Sequence, residues 1–273
     1  MIKAVIEYQF LQNALLTCIF ASIVCGIIGV IILEKKLLMM SGGIAHTSYG
    51  GVGLGYLLGF EPIIGAFIFS ICAALGIGFI KRKGGTHSDI VIALFWSLGM
   101  ALGVLFIALM PGYPPNLSSY LFGNILTVTK ADLYLIIVIS IIVVGIIGML
   151  YNSWKAYLFD EEFASIIGIK TAFLDYLLLI LVAMTVVALI RSVGIILVLA
   201  LLTAPAATAS HFSNRFLNRI IYSIFIGAIY CIVGLWISYY LDIASGASIV
   251  IFATFCYFLI FLIKNILKMQ NSY

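Results

Sequence analysis

The chain has 273 residues, of which 64% are hydrophobic and only 9% are charged, with a formal net charge of +4 and a mean hydropathy of +1.27. A soluble domain carries about 25% charged residues because its surface faces water, so this composition excludes a soluble enzyme. We expect an all-α, polytopic integral membrane protein that forms a single domain over residues 1–273 and has no catalytic residues.

Apolar blocks between clusters of charge predict about nine membrane-spanning helices, each near the roughly 20 residues that a bilayer core requires. A further apolar stretch, 117–128, is too short to cross the bilayer, and we interpret it as a re-entrant or interfacial segment. In chain order, the predicted spans cover 11–33, 37–60, 62–80, 90–110, 132–150, 173–190, 192–211, 219–240 and 246–263.

The distribution of lysine and arginine predicts the orientation, because cytoplasmic connections carry an excess of both. Alternate connections hold eleven of these 14 residues, and the opposite side holds only Lys3, Lys130 and Arg191. We therefore expect a cell-membrane protein with the N-terminus outside and the C-terminus in the cytoplasm. The segment 151–172 is expected in the cytoplasm as well.

The second predicted span is rich in glycine. Gly43, Thr47, Gly51, Gly55 and Gly59 follow at intervals of four and form one small-residue stripe along a helix. Such a stripe lets a neighbouring helix approach closely. We therefore predict that these four glycines serve helix packing.

A histidine lies in the same span, in a second row with Gly42 and Gly50. His46 thus stands between positions without side chains, and we place all three residues on a candidate path for metal translocation. A helix that begins near Leu37 places His46 about 13 Å along its axis, close to the bilayer midplane. An ionisable residue at that depth is costly and marks a functional pathway, and imidazole suits zinc and other borderline metals. The alternative is an interhelical hydrogen bond to a backbone carbonyl or a hydroxyl.

The seventh predicted span contains Pro205. Proline removes a backbone donor and frees the carbonyl one turn earlier, so it breaks or kinks a helix. Broken helices at membrane depth commonly line substrate cavities, which makes Pro205 a second candidate for the translocation path. The alternative is a kink that serves packing.

The cytoplasmic segment 159–168 predicts a short amphipathic helix. Asp160 can cap its start, and the acidic side chains of Glu161 and Glu162 suit the positive end of the helix dipole. Gly168 can end it. Its apolar edge must dock against the membrane surface or a soluble partner, and the acidic residues disfavour anionic lipid. That edge consists of Phe163, Ile166 and Ile167.

Two further observations restrict the source of energy. The sequence has no Gly-Lys pair and so no phosphate-binding GxxxxGK[ST] loop; any ATP chemistry belongs to a partner. All acidic residues fall in connections or at span ends, whereas a stand-alone secondary transporter or channel, the alternative function, would need intramembrane carboxylates as ion relays.

Four segments in order resemble the permease subunit of ABC importers for zinc, manganese and iron. The resemblance runs from about 31 to 262, and its motifs lie at Leu37–Gly51, Leu158–Ile169, Val193–Ala209 and Tyr239–Ile251. It implies a type II-like permease fold, a homodimer, cytoplasmic ATP-binding subunits and an extracytoplasmic metal-binding protein. It implies neither a permanently bound cofactor nor a nucleic-acid partner.

The resemblance also assigns residue roles. It makes 159–168 the coupling helix, in which Glu162, Phe163, Ala164 and Gly168 keep the glutamate-alanine-glycine spacing of ABC importers. The family histidine, a candidate metal ligand, matches His46. The aspartate that members carry four residues earlier is replaced here by Gly42. Because nitrogen without a carboxylate suits zinc better than manganese, we expect zinc ahead of manganese or iron as the transported metal.

Overall fold

In the computed structural model, which describes residues 7–83, 88–112 and 118–270, these residues form twelve α-helices and one short 3₁₀ turn, Ile125–Thr127, with no strand. The helices are numbered in chain order. They are α1 Gln9–Glu34, α2 Leu38–Leu58, α3 Pro62–Arg82, α4 Ser88–Ala108, α5 Ser118–Phe122, α6 Lys130–Met149, α7 Tyr151–Phe159, α8 Glu161–Ile166, α9 Thr171–Val193, α10 Ile195–Ser210, α11 Phe216–Leu241 and α12 Ser245–Gln270.

A helix occupies each of the nine predicted regions, but the predicted count of nine spans is not confirmed. Within the described residues, seven helices are long and apolar enough to cross a bilayer: α1, α3, α4, α6, α9, α11 and α12. The glycines, hydroxyls and histidine of α2 lower its hydropathy, and α10 has only 16 residues. The low hydropathy of α2 follows from the composition that made it a candidate functional element, whereas α10 is short because it begins only after Gly194.

The core of the bundle lies around α1 and α9. Of their apolar stretches 72% is buried, compared with 22% for α4 and α12, which lie at the periphery. Large apolar side chains remain exposed along the peripheral helices, for example Leu94 and Leu98 on α4 and Phe255 on α12. An apolar outer surface of this kind is suited to lipid and not to water.

The described residues between α4 and α6 form only short elements. Residues 113–117 lie outside the described residues, and the rest of the predicted 117–128 segment forms α5 and the 3₁₀ turn. Ile125 and Val128 are buried. At Gly123, which has φ +64°, an added Cβ would lie 2.2 Å from the backbone carbon of Val193. The segment therefore packs directly on the junction between α9 and α10.

That junction, and not Pro205, is where the helix is interrupted. Gly194, with φ +83° and ψ 156°, separates α9 from α10, whereas α10 continues through Pro205 to Ser210. Of the break or kink predicted at Pro205, the break is therefore not found, and the kink stays a prediction. The backbone at Gly194 must combine a left-handed φ with close contact to Gly123, which only glycine permits. Pro205 is buried, with its ring against Gly227 of α11.

The orientation remains a prediction that single-cysteine labelling can test. After replacement of the five free cysteines, we expect Ser165→Cys to be protected from an impermeant thiol reagent in intact cells. Ala244→Cys should react, because Ala244 is exposed and, on the charge distribution, lies outside. Its neighbour Ser245, which the same prediction places outside, is too buried to label. The same prediction places Thr86 in the cytoplasm and Asn116 outside, and both lie outside the described residues. Labelling of Ser165→Cys in intact cells would reverse the assignment.

Candidate functional site

Helix α2 is held between α3 and α4 by contacts between backbones. A Cβ added at Gly51 would lie 2.0 Å from the carbonyl oxygen of Gly65 on α3, and one at Gly99 of α4 would lie 2.4 Å from the Cα of Thr47. The hydroxyl of Thr47 also donates to the carbonyl oxygen of Phe95, at 3.0 Å. Close approach through small residues is a general device for packing helices in membranes.

The predicted small-residue stripe contacts more than one neighbour. An added Cβ at Gly43 would lie 2.8 Å from Ile92 on α4, and one at Gly55 would lie 2.6 Å from the Cα of Pro62. Gly59 does not belong to this surface. It is the left-handed C-cap of α2, with φ +74° and open space where a Cβ would be. Gly59 therefore ends the helix and does not pack against another one.

His46 lies on α2 in contact with two residues of α4. Its ring stacks on the Trp96 indole with centroids 4.1 Å apart and planes inclined by 13°. Its Nδ1 lies 3.5 Å from the Sδ of Met100. All three side chains are partly exposed. The imidazole is therefore held in place by α4 but still reachable at the edge of this chain.

The two glycines flanking His46 are covered rather than open. A Cβ added at Gly42 would lie 3.2 Å from the Trp96 ring, and one at Gly50 would lie 2.9 Å from the Gly99 carbonyl oxygen. His46 does stand between two positions without side chains, but α4 covers both of them. The physical reason is that a missing side chain allows a neighbouring helix to move in and fill the space.

Sequence reasoning missed Trp96 and Met100. They lie four residues apart, hence on one face of α4, but tryptophan and methionine in an apolar span are ordinary core residues. The described residues contain no group of three or more His, Cys, Asp or Glu side chains that could hold a metal ion. Among the described residues, the side-chain atom recorded within hydrogen-bonding distance of the His46 ring is the Met100 sulfur.

Helix α8 forms where the short amphipathic helix was predicted and is capped at both ends. The Asp160 carboxylate accepts hydrogen bonds from the backbone N–H groups of Glu162 and Phe163, at 2.9 and 3.0 Å. At the other end, Gly168 with φ +87° donates to the carbonyl oxygen of Ser165, and Ile169 donates to that of Ala164. This pair of bonds is the Schellman motif. It fixes the length of α8 at six residues.

The outer face of α8 is apolar and exposed. Phe163 is 53% exposed, Ile166 81% and Ile167 53%, while Ala164 is fully buried against the rest of the chain. Glu162 is exposed and, among the described residues, takes part in no ion pair. A rigid helix that presents apolar side chains beside an unpaired carboxylate is suited to a protein partner.

Helix α8 is also tied to the bundle through charged groups. Glu161 pairs with Lys35, N to O 2.7 Å, and the Lys35 ammonium lies 3.6 Å from the centre of the Tyr157 ring. The Tyr157 hydroxyl donates to Asp175, which also pairs with Arg82 of α3 at 2.6 Å. Burial, together with the Asp175 hydrogen bond, raises the pKa of Tyr157 well above its usual range. The phenol therefore stays protonated and keeps donating.

Beside α8 lies a groove of about 750 Å³. Lys155 and Arg215 line it and form no ion pair among the described residues, whereas Arg219 is paired with Glu34. Phe163 of α8 forms part of its wall. The groove is therefore a basic surface continuous with the exposed apolar face of α8.

Comparison with known proteins points to one family. Residues 7–264 match the family described as the ABC 3 transport family. The chain is 37% identical over 261 residues to the manganese transport system membrane protein MntC of Listeria monocytogenes, covering 96% of this chain and 93% of that protein. It is 34% identical over 272 residues to the manganese import system permease protein ScaB of Streptococcus gordonii, covering 100% and 96%.

A solved structure is similar over the same length. It is PsaBC from Streptococcus pneumoniae in complex with Fab, with a TM-score of 0.86 and 34% identity, covering 95% of this chain and 94% of that one. Sequence and fold comparisons thus agree over almost the whole chain.

Proposed function

The chain belongs to the ABC 3 transport family, and from this premise we propose that it is the permease subunit of an importer that moves a divalent transition metal into the cytoplasm. It would work as a homodimer in the cell membrane, with ATP hydrolysed by separate cytoplasmic subunits. An extracytoplasmic metal-binding protein would deliver the ion. The permease itself would switch access and catalyse no covalent reaction.

The observation that carries this proposal is the exposed face of α8. A six-residue helix capped at both ends, with Phe163, Ile166 and Ile167 exposed, is pre-organised for docking because little conformational entropy is lost on binding. It lies in 151–172, which the charge distribution predicts to be cytoplasmic. The adjoining basic groove enlarges the surface that an ATPase subunit could cover.

The alternative, a stand-alone secondary transporter, lacks support in the structure. All ten acidic residues are described, and each lies before a helix, in a connection, or within a helix near one of its ends. Asp132 is the N3 residue of a capping box on α6, and Asp175 is engaged by Tyr157 and Arg82. No carboxylate is therefore free at mid-membrane to relay protons or sodium.

The identity of the metal is proposed on the relatives. The two relatives compared above are described as manganese systems, so we propose manganese as the first ion to test. The preference for zinc that the lone imidazole indicated finds no support in these comparisons. We place the path along α2 at His46. The packing of Pro205 against α11 offers no support for a place in that path.

The proposal as a whole is tested with proteoliposomes that contain the chain and a co-expressed ATPase subunit. We expect manganese uptake, with the metal-loaded binding protein present, to require ATP and a catalytically intact ATPase. Uptake by the chain alone, driven by an ion gradient without ATP, would instead establish the secondary transporter.

A charge reversal on α8 tests the docking role. Glu162→Lys should leave the chain inserted but reduce co-purification of the ATPase, because the exposed carboxylate lies on the face offered to the partner. Gly168→Leu should act similarly, since a left-handed φ strains a branched residue by roughly 1–3 kcal/mol and distorts the C-cap. Matched controls are Glu7→Lys and Gly148→Leu, both at exposed positions outside α8. Normal co-purification and normal uptake in both α8 variants would remove the docking role.

A further inference from the structure

The contact between His46 and Met100 has a geometry that suits metal binding. A tetrahedral ion with Zn–N near 2.0–2.1 Å, and with sulfur at or somewhat beyond the 2.3 Å of a zinc–thiolate bond, holds its nitrogen and sulfur ligands roughly 3.5–3.7 Å apart. The observed separation of Nδ1 and Sδ is 3.5 Å. An ion could therefore bind between the two atoms with little movement of either helix.

The surrounding residues keep this pair in place. Trp96 stacks on the imidazole of His46 and also covers Gly42, one turn earlier on α2. The indole therefore occupies the space into which the imidazole would rotate toward Gly42. Thr47, the next residue on α2, is pressed against Gly99, the residue before Met100. The two ligand-bearing positions thus flank one of the closest backbone contacts of α2 with α4, and their separation is fixed by that contact.

The chemistry of the pair differs from that of oxygen ligands. A thioether is a soft ligand that favours thiophilic ions, whereas manganese prefers carboxylate, carbonyl and water oxygens. The ring contacts recorded for His46 among the described residues are with Trp96 and Met100 and not with a carboxylate, and Gly42 contributes no side chain. The ligand set that this chain offers is therefore softer than one made of imidazole and carboxylate.

We propose that Met100 is a second ligand on the translocation path and that its sulfur sets how well the permease accepts thiophilic ions such as zinc and cadmium relative to manganese. This inference rests on the proposed function.

Transport selectivity tests the proposal. Met100→Leu keeps the volume but removes the sulfur, and loss of groups that support a metal typically costs 10–100-fold in affinity. We expect cadmium or zinc uptake to fall at least about tenfold relative to manganese uptake, both measured on the same proteoliposomes. Met184→Leu, a partly buried methionine on α9, is the matched control and should leave the ratio unchanged. An unchanged ratio in Met100→Leu overturns the role of Met100.

A spectroscopic measurement covers the case in which Met100→Leu fails to fold. X-ray absorption at the cadmium edge, on the wild-type complex labelled with selenomethionine, should show a selenium neighbour. Absence of selenium around bound cadmium means that the contact is only an N–H···S hydrogen bond, and the proposal fails. A wrong role for Met100 can be told apart from a wrong translocation path. If the path does not pass His46, the His46→Gln variant will transport both ions normally.

Discussion

Replacing His46 by glutamine is expected to abolish metal uptake while leaving the protein inserted and bound to its ATPase. Glutamine can still form hydrogen bonds, but its amide is a poor ligand for transition metals. The imidazole is held against Trp96 and is partly exposed at the edge of the chain, so its loss removes a ligand without opening a cavity in the core. We expect uptake to fall by at least about tenfold, the lower bound for disturbing a metal site.

A purely structural role for His46 gives a different result. Loss of an interhelical contact worth about 1 kcal/mol would lower expression and thermal stability and leave the transport rate per folded molecule unchanged. Radioactive manganese uptake, divided by the amount of ATPase-bound permease, separates the two. His46→Ala should behave like His46→Gln in uptake. Normal uptake by His46→Gln would make His46 a packing residue.

Adding side-chain atoms at Gly51 is expected to prevent assembly of α2 with α3. A Cβ at this position would lie 2.0 Å from the Gly65 carbonyl oxygen and 2.7 Å from the Ala66 nitrogen. Both are backbone atoms within helix α3, so the collision cannot be relieved by a rotamer change. We expect Gly51→Val to destabilise the protein by more than about 3 kcal/mol, the upper end of ordinary overpacking.

The matched control for Gly51→Val is Gly145→Val on α6, where an added Cβ meets nothing within 4 Å. Both variants place valine in the interior of an apolar helix, so helix propensity is the same in each. Yield and apparent Tm in detergent, followed by fluorescence-detected gel filtration, measure the difference. Equal stability of the two variants would show that α2 and α3 do not pack through Gly51.

The positions of the helices could be predicted because the thickness of the bilayer sets the length of each apolar block in the sequence, and charged residues mark the ends of these blocks. The predicted span 132–150 is observed as α6, Lys130–Met149, and 219–240 as α11, Phe216–Leu241. The caps of α8 were predictable for the same kind of reason, since Asp160 and Gly168 act through local backbone geometry. Such features depend only on neighbours in sequence.

Features that depend on tertiary contact could not be predicted. The interruption at Gly194 arises because Gly123, 71 residues earlier, packs against it, and proline was the stronger local signal. Trp96 and Met100 acquire their roles only through the packing of α4 on α2. Likewise, the space that Gly42 leaves on one helix gave no indication of which residue on another helix would fill it.

The ion pair between Lys35 and Glu161 connects α8 to the link that precedes α2. Lys35 lies in the three-residue link between α1 and α2, and Lys36 beside it adopts φ +56° in a tight helix end. His46 lies eight residues beyond the start of α2, about 12 Å along its axis. A displacement of α8 that preserves the ion pair must therefore move the link before α2, and with it the N-terminal end of the helix that carries His46.

The strength of this connection indicates how it can work. The Lys35 side chain is 13% exposed and that of Glu161 45%, so the pair contributes at most about 1 kcal/mol. The cation–π contact with Tyr157 adds about 0.5–1 kcal/mol. A sum of this size is a few times thermal energy. The connection can therefore transmit small displacements of α8, whereas a large displacement would break the ion pair.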